Sequence, residues 1–99
     1  PMFEIVETPE FTQWLHSIKD GMTRRRLAVR LRKLSLGNMG DINPVGEGVS
    51  ELREHFGPGW RMYFIQRGPI IVVMLGGGSK ATQQADITKA IALAKTIED

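Results

Sequence analysis

Apolar residues recur along this chain in two rhythms, about 3.6 residues and two residues, and these rhythms divide it into helices and strands. Phe3 to Glu7 alternates as a short strand. Thr8-Pro9-Glu10 is a helix start: Thr caps, Pro suits the first helical position, and an acid favours the first turn. Phe11, Trp14, Leu15 and Ile18 then form one buried stripe on a helix ending near Asp20-Gly21. A second helix is predicted from about Met22 to Leu36, with Leu27, Leu31 and Leu34 as its stripe and Gly37 as its stop. Gly37 to Gly48 reads as a loop, long enough to suggest a function or a wrapped edge. Strands follow at Val49–Phe56, Trp60–Arg67 and Ile70–Leu75, separated by the turns Gly57-Pro58-Gly59 and Gly68-Pro69. The last strand reads as fully buried and central, and Gly76-Gly77-Gly78 breaks it. A helix from about Thr82 to Ile97 closes the order β-α-α-β-β-β-α. That order predicts an α+β fold, an antiparallel sheet with helices packed on one face.

Ninety-nine residues suit a single domain, taken as residues 2–99, with Pro1 ahead of Met2 set aside as foreign to the natural chain. There is no cysteine, which removes thiol chemistry and any need for an oxidising compartment. No leader pattern opens the chain and no run approaches the ~18 apolar residues of a membrane span, so a cytoplasmic location and no membrane partner are expected. The net charge of +2 is ordinary, but its distribution is not. Arg24, Arg25, Arg26, Arg30, Arg32 and Lys33 fall in one acid-free stretch, whereas residues 1–23 carry four acids against Lys19 alone. Such segregation suits a polyanionic partner.

Strand alternation puts Trp60, Met62 and Phe64 on a core face, and Arg61, Tyr63 and Ile65 on the other, which is expected to be uncovered. Arg53 and His55 point outward from the preceding strand, and Lys80 follows the three glycines. Hairpin pairing then lets Arg53, His55, Arg61 and Lys80 converge on one cationic sheet surface. Arginine forks match phosphate oxygens, and lysine offers a compact charge. Cleavage of RNA by internal 2′-OH attack builds negative charge that fixed cations stabilise, so neither metal nor cofactor is expected. Tyr63 is a candidate for stacking on a base, and His55 for proton transfer near neutrality. His16 falls off its helix's apolar stripe and gets no role. The basic run of the second helix reads first as a solvated face and second as a nucleic-acid contact. Gly76 to Lys80 lacks the order of a phosphate loop, since Ala81 follows Lys80. On the residues alone, RNA cleavage and simple binding stay equally open.

The segment Gly46-Glu47-Gly48-Val49-Ser50-Glu51-Leu52-Arg53, followed by Phe56-Gly57-Pro58-Gly59-Trp60-Arg61-Met62-Tyr63-Phe64, resembles the HigB-like "addiction module killer" toxins of the RelE/ParE superfamily. Gly77-Gly78-Ser79-Lys80 and Gln83-Gln84-Ala85-Asp86-Ile87 extend the resemblance, which covers essentially Met2 to Glu98. It implies a toxin of a type II toxin–antitoxin system, held inactive by a helix-turn-helix antitoxin and acting as a ribosome-dependent endoribonuclease on mRNA. By position, Arg61 and Lys80 match the residues that stabilise the phosphate, and Arg53 the one that binds it. His55 is the candidate base, and Arg24, Arg25, Arg26, Arg30 and Lys33 are candidate ribosomal-RNA contacts. The chain departs from the family pattern in having Trp60 where Tyr is common, Ser79 where Asp often precedes the Lys, and no C-terminal Tyr. Two alternatives share the fold: a ParE-like inhibitor of DNA gyrase without chemistry, and a toxin-like domain kept only as a co-repressor.

Overall fold

Thr8 opens the first helix as its sequence predicts. In the computed structural model, which describes residues 2–97, its hydroxyl accepts the Phe11 N–H at 3.1 Å and Pro9 takes the first turn. The readings of Pro1 and of the chain beyond Ile97 lie outside the described residues. The elements are β1 (Glu4–Glu7), α1 (Pro9–Ser17), α2 (Gly21–Ser35), β2 (Ile42–Gly46), β3 (Val49–Glu54), β4 (Trp60–Arg67), β5 (Ile71–Ser79), a 3-10 turn at Lys80–Thr82, and α3 (Gln83–Ala94). Among the described residues, no helix is long and apolar enough to cross a membrane.

The sheet order is β1-β5-β4-β3-β2. The chain leaves β1 at one edge, passes through α1 and α2, and enters the sheet at the opposite edge as β2. It then returns by hairpins until β5 lies beside β1, in the same direction. The α+β class therefore stands, but the sheet is mixed rather than antiparallel, because its last step sets β5 parallel to β1.

The expected loop between Gly37 and Gly48 contains a whole strand, β2, paired with β3 through Ile42↔Leu52, Asn43↔Glu51 and Pro44↔Ser50. An edge strand needs ladder donors on only one side, so Pro44 is tolerated there. The β2–β3 turn uses Glu47 at φ 50° and Gly48 at φ 82°. Nor do Gly76, Gly77 and Gly78 break β5. They stay paired with Tyr63, Met62 and Arg61, and the missing side chains of Gly77 and Gly78 admit neighbours on opposite faces. A Cβ on Gly77 would meet the Trp14 ring at 2.5 Å, and one on Gly78 the Asp86 carboxylate at 1.9 Å.

Helices cover both faces of the sheet, not one. Phe11, Leu15, Leu27, Leu31 and Leu34 of α1 and α2 pack with Leu52, Met62, Phe64, Val72 and Met74. On the opposite face, Ala90 and Ala94 of α3 pack with Val49, Tyr63, Ile65, Val73 and Leu75. The cause is the composition of β4 and β5. Met62, Tyr63, Phe64 and Ile65 are apolar in succession, and leaving either face wet forfeits about 1.5–3 kcal/mol for each large side chain.

Candidate anion-binding site

β3 and β4 pair so that Arg53 stands directly across from Arg61, and β5 continues the rung with Gly78. Directly opposed residues share a face. This is the face that α3 covers, and the two arginines sit where that cover runs out. Gly78, lacking a side chain, leaves room beside Arg61 for the Asp86 carboxylate and the Thr82 hydroxyl, which lie 2.5 Å apart.

Arg61 is enclosed rather than exposed, with 5% of its surface accessible. Its Nη1 donates to the Trp60 carbonyl at 3.1 Å and to the Glu54 carbonyl at 3.5 Å, while Nε has no partner. Among the described residues, no carboxylate lies within ion-pair distance of it. A buried guanidinium costs several kcal/mol in desolvation when no opposite charge repays it. Lys80, exposed at the end of β5, shares the space over the hairpin turn. A Cβ on Gly59, at φ 79°, would lie 3.6 Å from Arg61 Nη1 and 3.2 Å from Lys80 Cβ. Glycine at that turn therefore keeps the approach to both cations open.

Arg53 and His55 are gathered by a residue that sequence reasoning passed over. Asp41 Oδ1 accepts from Arg53 Nη2 at 2.8 Å and Nε at 3.2 Å, and Oδ2 lies 2.5 Å from His55 Nε2. The Asp41 carbonyl also accepts the Arg53 backbone N–H at 2.9 Å. The Arg53 and His55 hydrogen bonds hold the Asp41 carboxyl down from 3.8 to about 2, so it is ionised at neutral pH. Asp41 precedes β2, and only the Ile42↔Leu52 register sets it beside Arg53. Local pattern gives little signal for it, since Ile42 and Val45 are three apart and pack on opposite faces of the sheet.

Tyr63 is corrected from a stacking candidate to a core residue. It shares Arg61's face but lies under α3 with 0% accessible, and its hydroxyl has no partner. Burial first, then the charges of Glu51 and Asp86, push its phenol well above the ordinary range. Beside it, the buried Glu51 carboxylate accepts from Gln83 Nε2 at 2.8 and 3.1 Å and from Asn43 Nδ2 at 3.4 Å. The face expected to be open is thus closed by α3 except around Arg53, Arg61 and Lys80.

The arginines of α2 divide. Arg30 is 7% exposed and donates to the carbonyls of Asn38 and Met39, with Glu54 Oε2 at 4.0 Å, so it braces the α2–β2 connection instead of facing a partner. Arg24 donates to the carbonyls of Ile18 and Lys19, and the Arg26 guanidinium lies 3.6 Å over the Phe56 ring. Arg25 and Lys33 are exposed.

No protein-family model matches the chain. An uncharacterized protein of Haemophilus influenzae is 36% identical over 94 residues, which cover 95% of each chain. Among solved structures, a free-state mutant of the E. coli toxin RelE superposes with a TM-score of 0.73 at 8% identity, over 95% of this chain and 98% of that one. The toxin–antitoxin complex RelBE2 from Mycobacterium tuberculosis gives a TM-score of 0.56 at 15% identity, over 81% of this chain and 100% of that one. The chain belongs to the family of the Haemophilus influenzae protein and has the fold of RelE.

Proposed function

We propose that this chain is the toxin of a type II toxin–antitoxin pair, of the HigB-like branch, and a ribosome-dependent endoribonuclease that cleaves mRNA in the cytoplasm. The observation that carries the reading is Arg61: a buried guanidinium with an unpartnered Nε and, among the described residues, no carboxylate within ion-pair distance, with Lys80 and Arg53 beside it. A site that keeps a cation enclosed and unpaired binds anions, and its strength grows in the low-dielectric surroundings that make it costly.

A phosphodiester undergoing 2′-OH attack is the anion this arrangement suits, since charge on its oxygens rises in the transition state. Arg61 and Lys80 stabilise that charge, Arg53 positions the phosphate, and His55 takes the proton. The step needs no metal, and no cofactor takes part. Exposed Arg25 and Lys33 of α2 are assigned to ribosomal RNA. The RelE fold, found in a protein named a toxin and in a toxin–antitoxin complex, supports an antitoxin partner, which we assign to the helix-turn-helix class.

The test is to induce the wild type and Arg61→Met without antitoxin and map mRNA 5′ ends by primer extension. Methionine keeps the volume of an enclosed side chain. New cuts inside translated regions, lost in the variant and when translation is blocked, are expected. Growth arrest with intact mRNA and a DNA-damage response would replace this reading with gyrase inhibition.

A further inference from the structure

We infer that Asp41 is a positioning residue that fixes the tautomer of His55, so that Nδ1 of the imidazole is the atom that takes the 2′-hydroxyl proton. The inference rests on the ribonuclease reading and adds to it a residue, an atom and a direction of proton flow.

A carboxylate only accepts, so the 2.5 Å contact between Asp41 Oδ2 and His55 Nε2 puts a proton on Nε2. Neutral imidazole then has its lone pair on Nδ1. The carboxylate is itself fixed, because Oδ1 is taken by both Nε and Nη2 of Arg53 and the Asp41 backbone holds the Arg53 N–H. One acid therefore orients the phosphate-positioning arginine and the base together. Arg53, held by the same carboxylate, stands directly across β3 and β4 from Arg61, so Asp41 joins the imidazole to the cationic rung through Arg53. His55 is well exposed, at 67% of its side chain, so substrate can reach it.

In the step, O2′ forms its bond to phosphorus as its proton passes to Nδ1. The P–O5′ bond breaks, its electron pair leaves with O5′, and that oxygen takes a proton from solvent. The products are a 2′,3′-cyclic phosphate and a 5′-hydroxyl. The imidazolium, its charge faced by Asp41, returns its proton to solvent for the next turnover.

Asp41→Asn tests this with little change of shape. Arg53 keeps the amide oxygen at Oδ1, so the new NH2 faces Nε2 and must donate to it, which drives the imidazole proton onto Nδ1. Imidazole 15N spectra of the free protein above pH 8, in a His16→Gln background to leave one histidine, are expected to show Nε2–H in the parent and Nδ1–H in the variant. With purified ribosomes and a defined mRNA, the variant is expected to lose roughly 100-fold in kcat, the scale of a general base, with KM nearly unchanged. In a His55→Ala background, Asp41→Asn is expected to cost far less in kcat, only what its hold on Arg53 contributes. An Nδ1–H parent, or a folded variant with wild-type kcat, overturns the inference. If the parent cuts no mRNA, the ribonuclease reading and the base role fail together, while the spectra still decide whether Asp41 sets the tautomer.

Discussion

Arg53 and Arg61 are direct partners across β3 and β4, yet among the described residues only Arg53 has a carboxylate within ion-pair distance, at 2.8 Å in Asp41. Like charges directly opposite each other weaken a sheet. Here the pair is kept with one member neutralised and the other, the more enclosed, left bare. That asymmetry separates stability from function at a single position.

Arg61→Met is therefore expected to stabilise the protein while abolishing anion binding. Removing a buried unpaired charge while keeping its volume gains about 1–3 kcal/mol, and each kcal/mol raises the midpoint by roughly 4–8 °C in a domain of this size. Thermal unfolding and RNA cleavage of the same sample check both halves. A variant that melts earlier and still cuts would mean that Arg61 is a structural residue.

The glycines of β5 make a graded prediction. Gly77→Ala drives a methyl into three Trp14 ring atoms at 2.5–2.6 Å. The ring cannot retreat freely, since Trp60 and Phe11 pack on it with centroids at 6.3 and 5.7 Å. A loss of about 1–3 kcal/mol is expected from overpacking. Gly76→Ala meets nothing within 4 Å and is expected to stay within about 0.5 kcal/mol of wild type. Denaturant midpoints of the two variants test the contrast, and equal midpoints would refute the account of why β5 runs through its glycines.

Tyr63→Phe removes a buried hydroxyl that has no hydrogen-bond partner. Losing an unsatisfied polar atom while keeping the ring is expected to leave stability unchanged or raise it by up to about 1 kcal/mol. Cleavage is expected to continue at the wild-type rate, because α3 lies over the ring. A large loss of activity with normal folding would return Tyr63 to the site.

Much of this was legible in the chain. The stripe of Phe11, Leu15 and Ile18, the start at Thr8-Pro9, and the buried character of β5 depend on local pattern, and each is found where the pattern puts it. Arg53, Arg61 and Lys80 were also legible as a group, because hairpin pairing follows from the turns between them. The cover over Tyr63 was not. α3 meets the sheet through Ile87, Ala90, Ile91 and Ala94, a regular stripe, but nothing in the stripe says which face of the sheet the helix covers. Asp41 was hidden for a different reason: Arg53 and His55 lie 12 and 14 residues away. Their meeting depends on a strand masked by Asn, Pro and Gly.

The Asp41 clamp has a signature in acid. Its carboxyl falls from 3.8 to about 2 on folding, through the hydrogen bonds of Arg53 and then His55. A carboxyl depressed in the folded state binds protons more readily when unfolded, so stability rises with pH across the interval. The contribution is full above about pH 4 and is lost as pH falls through about 2. Wild type and Asp41→Asn compared by urea unfolding between pH 5 and pH 2 should diverge least at the acid end. There the wild-type carboxyl is about half protonated, and most of what its charge adds over the amide is gone. A gap between the two proteins that stays constant down to pH 2 would show that Asp41 does not carry the charge that holds Arg53 and His55 together. It would also remove the physical basis for the tautomer that Asp41 is inferred to set.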